Sequence, residues 1–233
     1  MASLDGTLLK KALGSGIVRS VTNDLPKGIR LRKISVGTVT SIEVVSATNL
    51  EIITSDGGTD TYTFASYATV GALADAVNAD GIFEAVVIDA LRSEGSANFF
   101  LTAGAIAVGA DSNGVAIYDM VVDTSGAATM SCCLSPISPD MDLPVNHRVH
   151  LQEIFYNVDL TAAVGGLAVY VRKGTIETKI WSLLSVDATD TTIDFASGIG
   201  KISAKDGEEL IVQLSGTVVD AAANAIQLVG TLE

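Results

Sequence analysis

The chain has 233 residues, enough for one large β domain or two domains of ordinary size. Hydrophobic residues make up 48% and charged ones 18%, and no run reaches the roughly 18 unbroken apolar residues of a membrane-crossing helix, so no membrane partner is expected. A formal charge of −13 argues against phosphate-rich partners, and nucleic acid is not expected among them.

Residues 1–33 read as a basic, extended arm. The opening "MASLDGTLLKKALGSGIVRS" starts with an acid and has no continuous apolar centre, so no signal peptide is expected. The arm holds Lys10, Lys11, Arg19, Lys27, Arg30, Arg32 and Lys33 against Asp5 and Asp24, a local charge of +5 on a body that carries −18. These seven are the candidate docking residues. A basic arm on an acidic body points to an acidic surface, such as a neighbouring copy, although a solvated tail without a partner has the same composition. "TLLKKAL" suits one or two helical turns, "GSG" at 14–16 breaks them, and Pro26-Lys27-Gly28 signals a turn.

Residues 34–131 read as a small α+β domain with one helix on a sheet. "TSIEVV", "NLEIIT" and "TYTF" are candidate strands, with Asp56-Gly57-Gly58 supplying the positive-φ residues of a hairpin turn. The run "SYATVGALADAVNADGIFEAVVID" then changes period. Ser66 or Thr69 is placed to cap a helix, Val70, Leu73, Ala74 and Val77 fall on one face, and Gly81 stops it. "FEAVVID", "NFFLT" at 98–102 and "VAIYDMVV" read as further strands. The pair Cys132-Cys133 is too close in sequence to bridge and reads as two buried thiols, in keeping with a reducing compartment.

Residues 132–144 form a linker by composition, since Pro136, Pro139 and Pro144 fall within it. Residues 145–233 then read as a β-sandwich, jelly-roll-like. Its candidate strands are "RVHLQEIFYNVDL", "LAVYVRK", "TIETKIWSLL", "TTIDFA", "EELIVQLSGTVV" and "NAIQLVGTLE", separated by glycine turns. The whole chain is therefore expected to be mainly β.

The stretch from "TYTF" through the helix to "FFLT" resembles a module of tailed-bacteriophage structural proteins, and is similar to the flagellin hook IN motif of flagellar hook-associated proteins. Leu73, Ala76, Val77, Asn78 and Ala85 carry the likeness. The chain lacks the coiled-coil termini of flagellar axial proteins, so the phage member of the pair is the one taken. The resemblance implies a building block of a large assembly, without catalysis. The closing strands are also similar in pattern to the jelly rolls of capsid decoration proteins, an analogy of fold.

Motifs that carry chemistry are weak by contrast. His147 and His150 lie three apart near Asp140, Asp142 and Glu153, but three-apart residues on a strand point to opposite faces and cannot share a metal. Asp187, Asp190 and Asp194 lack the ligand spacing of a calcium loop. No phosphate loop, dinucleotide fingerprint or nucleophile elbow occurs. The expectation is a non-enzymatic phage virion protein of the capsid decoration or cement type, without cofactor or metal. It would be assembled in the host cytoplasm, self-associate, as a trimer, and bind the major capsid protein or other virion proteins. A tail or fibre component touching host glycan, or a glycan-binding module, is the alternative.

Overall fold

A computed structural model describes residues 16–22, 27–98, 105–110, 113–121, 129–134, 149–157, 165–186, 191–194, 202–205, 207–215 and 225–232. The protein is mainly β with one α-helix among the described residues. It divides into two compact units. One is Lys27–Asp123 with a short later segment, and the other takes chain from both sides of it.

The first unit is an α+β domain. Its strands are β2 (Lys27–Lys33), β3 (Val39–Val45), β4 (Asn49–Thr54), β5 (Gly58–Thr63), β6 (Phe83–Val87), β7 (Ala105–Ala110) and β8 (Ala116–Val121), and its helix is α1 (Val70–Asp80). They form a sheet ordered β6-β2-β8-β7 and a meander ordered β3-β4-β5. Alternation drives both. Ile29 and Leu31 of β2, Ile42 and Val44 of β3, and Leu50 and Ile52 of β4 point inward, and join Val70, Leu73, Ala74 and Val77 of the helix in one core.

Helix α1 starts where Thr69 accepts the Ala72 N–H at 3.2 Å and ends where Gly81 turns left-handed at φ 71°. Its first N–H groups are met by chain from the following loop: Val70 donates to the Glu94 carbonyl and Gly71 to the Arg92 carbonyl, both at 2.8 Å. That approach explains Gly71. A Cβ there would lie 2.8 Å from the Arg92 Cβ and 2.9 Å from the Arg92 carbonyl oxygen. Gly71→Ala is therefore expected to destabilise the domain by about 1–3 kcal/mol, although alanine is the better helix former by about 1 kcal/mol. Urea titration followed at 222 nm checks this, and an unchanged or raised midpoint refutes it.

The second unit holds β1 (Gly16–Thr22), β9 (Thr129–Cys133), β10 (Val149–Asn157), β11 (Gly165–Lys173), β12 (Ile176–Val186), β13 (Thr191–Asp194), β14 (Ile202–Ala204), β15 (Glu209–Ser215) and β16 (Ala225–Leu232). One sheet runs β1-β16-β10-β13, with β14 also on β10, and the other runs β12-β11-β15-β9. If β13 and β14 share one place, the eight strands lettered B to I run B-I-D-G in one sheet and C-H-E-F in the other. That is jelly-roll order. Val149, Leu151, Ile154, Ile226 and Leu228 of the first sheet face Cys132, Leu167, Val169, Leu210 and Val212 of the second across a single core. A bulge between Leu151 and Glu153 makes this possible, because one extra residue lets both Leu151 and Ile154 point inward.

The structure draws the internal boundaries elsewhere than composition did. The extended character expected of residues 1–33 is present at 16–22 and 27–33, but as paired strands rather than a projecting arm. β1 lies against β16, and β2 is an inner strand of the α+β domain. Cys132 and Cys133, placed in a linker by proximity to proline, are in β9 and belong to the jelly roll with both side chains buried. The three prolines of that linker lie outside the described residues. "AIAVGA" forms β7, and Ser96–Asn98 is a 3-10 turn where "NFFLT" was expected to begin a strand; the rest of that segment lies outside the described residues. The jelly roll is thus interrupted between its first two strands by the α+β domain.

Candidate functional site

Strand β2 gathers four of the seven candidate docking residues, and its registers decide what they do. Arg30 stands directly opposite Asp119 on β8, and Arg32 directly opposite Glu84 on β6. Arg30 grips Asp119 with two bonds, Nε to Oδ1 at 2.7 Å and Nη2 to Oδ2 at 3.0 Å, and Lys27 reaches Oδ2 at 3.0 Å. Asp119 is fully buried. Arg32 pairs with Glu84. Lys33 is buried too, with its ammonium on Asp56 at 3.0 Å, on the Val36 carbonyl at 2.8 Å, and 5.7 Å above the Phe83 ring. Four of the seven basic residues that looked like an arm are met by acids inside one domain. Lys10 and Lys11 lie outside the described residues, and of Arg19 only the strand is described.

Two carboxyls of the meander respond oppositely to their surroundings. The Ser35 hydroxyl, and after it the Lys33 ammonium, hold Asp56 down at about 2, so its contribution to stability is present above 3.8 and fades as pH falls through about 2. Burial, and then the Asp80 carboxylate, push Asp60 above 3.8. The folded chain therefore holds that proton more tightly than the unfolded one, and ionising Asp60 costs stability as pH rises. Asp60→Asn is expected to raise the melting temperature near pH 7 and to leave it unchanged near pH 3. A loss at near-neutral pH would refute the assignment. The Tyr62 hydroxyl donates to Asp80 at 2.5 Å, and burial, with that bond, raises the phenol above its ordinary range.

The residues that carried the phage-module resemblance have a structural task. The Asn78 side chain donates to the Ala85 carbonyl at 2.9 Å and accepts the Ala85 N–H at 2.8 Å. β6 is an edge strand, so Asn78 acts as a piece of neighbouring strand and closes that edge. Leu73 and Val77 are buried beneath the helix. These groups bind chain to chain.

The two sequence candidates for metal chemistry fall mostly outside the described residues. His150 is on β10, half-buried, whereas His147, Asp187 and Asp190 lie outside the described residues. Among the described residues no three His, Cys, Asp or Glu side chains converge.

A surface feature not foreseen in the sequence lies on the jelly roll. β12 is an eleven-residue strand at the outside of its sheet, and exposes Ile176 (69%), Ile180 (45%), Leu183 (39%) and Leu184 (88%). Apolar side chains on an exposed strand edge are a surface for protein contact. The signal was present as "TIETKIWSLL", which alternates poorly for a half-buried strand because two irregularities interrupt its ladder to β11.

No protein-family model and no curated protein matches the sequence. Among solved structures, murine APRIL shares 7% identity over 46% of this chain and 89% of its own, with a TM-score of 0.26. The Cry4Aa mosquito-larvicidal toxin of Bacillus thuringiensis shares 6% over 91% of this chain and 43% of its own, at 0.25. A chain of Sulfolobus Turreted Icosahedral Virus shares 10% over 95% of this chain and 52% of its own, at 0.23. At such TM-scores these likenesses carry no argument about what the chain does.

Proposed function

We propose that the chain is a non-enzymatic structural protein of a phage virion, of the capsid decoration or cement type. The observation that carries this reading is the apolar edge of β12, a surface suited to standing contact with protein, on a jelly roll that bears a second domain. The phage-like module of Leu73, Ala76, Val77, Asn78 and Ala85 supports it as a resemblance. The mechanism is mechanical: each contact is modest, and repetition over a lattice multiplies them. Charge contributes less than composition implied, because Lys27, Arg30, Arg32 and Lys33 are engaged within their own domain. Lys10, Lys11 and Arg19 are the candidates left for docking onto a capsid.

Co-sedimentation with undecorated capsids of the phage that encodes the chain tests this. Full-length protein is expected to pellet with the particles and to raise their resistance to heat. Removal of residues 1–15, which spares every described strand, is expected to weaken that binding. Protein that stays in the supernatant at every concentration refutes the reading.

A further inference from the structure

β12 has β11 on one side, and no described strand on the other. The ladder to β11 fixes which way its side chains face. Glu177 opposite Arg172 and Lys179 opposite Tyr170 lie on the outward face. Ile176 opposite Lys173, and Thr178 opposite Val171, lie on the face that continues the core. An irregularity between Val169 and Tyr170 then inserts Ile180 as an extra residue before Trp181.

We infer that β12 pairs antiparallel with β12 of a second copy across a two-fold axis at Thr178, joining two jelly-roll sheets edge to edge. The inference deepens the assembly reading above, and rests on it only in supposing that the edge is used.

Charge and facing select the register. An axis at Glu177 sets Glu177 against itself, and one at Lys179 sets Lys179 against itself. An axis midway between two residues sets outward side chains against inward ones. An axis at Ile180 carries the pairing across the irregularity and brings inward Ile176 to outward Leu184. The axis at Thr178 avoids all three faults. It places Glu177 opposite Lys179 of the other copy, twice by symmetry, and Ile176 opposite Ile180 on the inner face. Opposite charges directly across an antiparallel pair are stabilising, and like charges are not. The Arg172–Glu177 pair, at 3.6 Å, extends to the incoming Lys179. Pairing spans Ile176 to Ile180, close to the usual strand length of about 5 residues, and the irregularity at Ile180 ends it. A two-fold contact of this kind is self-complementary, so the same patch serves both copies. It joins copies in twos, and by itself does not make the trimer expected from sequence.

Light scattering on the purified full chain, with no capsid present, provides the test, so failure here and failure of capsid binding are read separately. The mass is expected to rise with concentration toward twice 24.0 kDa. Lys179 is exposed, so Lys179→Glu is expected to fold, with an unchanged far-UV spectrum as the check, although it gives up the contact over the Tyr170 ring. It sets Glu177 against glutamate twice and is expected to weaken the dimer at least about tenfold. A second variant reads the register directly. Thr178→Cys opposes itself at the axis, and oxidised glutathione is expected to link it into a covalent dimer. The two thiols give up two electrons and two protons, and glutathione leaves as thiol. Ser182→Cys, off the axis, is expected not to link. The inference is overturned by a mass that stays at one chain throughout. It is also overturned if Lys179→Glu associates as tightly as the wild type, or if Ser182→Cys links as readily as Thr178→Cys.

Discussion

Replacing Asp119 by alanine is expected to cost about 3–5 kcal/mol, because it leaves two cations beside a buried site with their shared counter-ion gone. Asp119 accepts from Arg30 through both carboxylate oxygens and pairs with Lys27 at 3.0 Å, and the side chains of all three are almost wholly out of water. Water does not replace the lost carboxylate cheaply at that depth. The helix reports the outcome, since α1 belongs to the same domain, and a 222 nm urea transition is expected to move to a clearly lower midpoint. Glu84→Gln is the contrasting control. It removes charge from a pair that is 24% and 37% exposed, and surface pairs are worth about 0–1 kcal/mol. Equal losses in the two variants would show that burial of Asp119 is not what makes its pair matter.

The jelly roll has a counterpart on its outward face. Arg172 is buried, donates from Nε to Glu209 at 2.6 Å, and lies 3.6 Å from Glu177, while the Cys133 thiol approaches the second Glu209 oxygen at 3.7 Å. Glu209→Ala is expected to destabilise the sandwich by about 3–5 kcal/mol, since the buried guanidinium loses the carboxylate held at 2.6 Å on its Nε. The double variant Arg172→Met/Glu209→Leu is expected to recover most of that loss, because two apolar side chains of similar volume need no counter-ion. The single tryptophan, Trp181, packs on the sandwich core, so its fluorescence during urea unfolding follows this unit. A double variant as unstable as the single would mean that the pair holds the strands in register, rather than merely satisfying its own charges.

Local chemistry was readable in the sequence, and distant pairing was not. Thr69, Gly81 and the apolar stripe of α1 act within one turn of the chain, and the structure finds them as expected. "NLEIIT" forms β4, and Gly58 takes the left-handed turn position at φ 80°. The six strands expected after residue 145 each contain one. What failed was assignment to partners. "KGIRLRK" alternates as a strand should, with Ile29 and Leu31 on one face and Arg30 and Arg32 on the other, yet it was absorbed into a charge run. A charge count along the chain does not reveal that Glu84 and Asp119, on strands far downstream, stand opposite those arginines. The apolar edge of β12 was hidden for the complementary reason. Exposure of Ile180 and Leu184 depends on which strand lies at the sheet boundary, and that is a property of the assembled fold.

The interruption of the jelly roll between its first two strands governs the order in which the protein can be made. Gly16 finds its partner in Thr231, a sequence separation of roughly 200 residues, and contacts that distant are slow to form. On a ribosome all the strands and the helix of the α+β domain, between Lys27 and Asp123, emerge early and can fold while β1 still waits as an unpaired strand. The inserted domain therefore becomes a folded spacer tethered to an open edge. β16, which leaves the exit tunnel after every other described strand of the sandwich, is the one that slots between β1 and β10. Truncation within β16 would leave the early domain folded and the late one open, so nascent chains of that length are the ones most exposed to misassembly with one another.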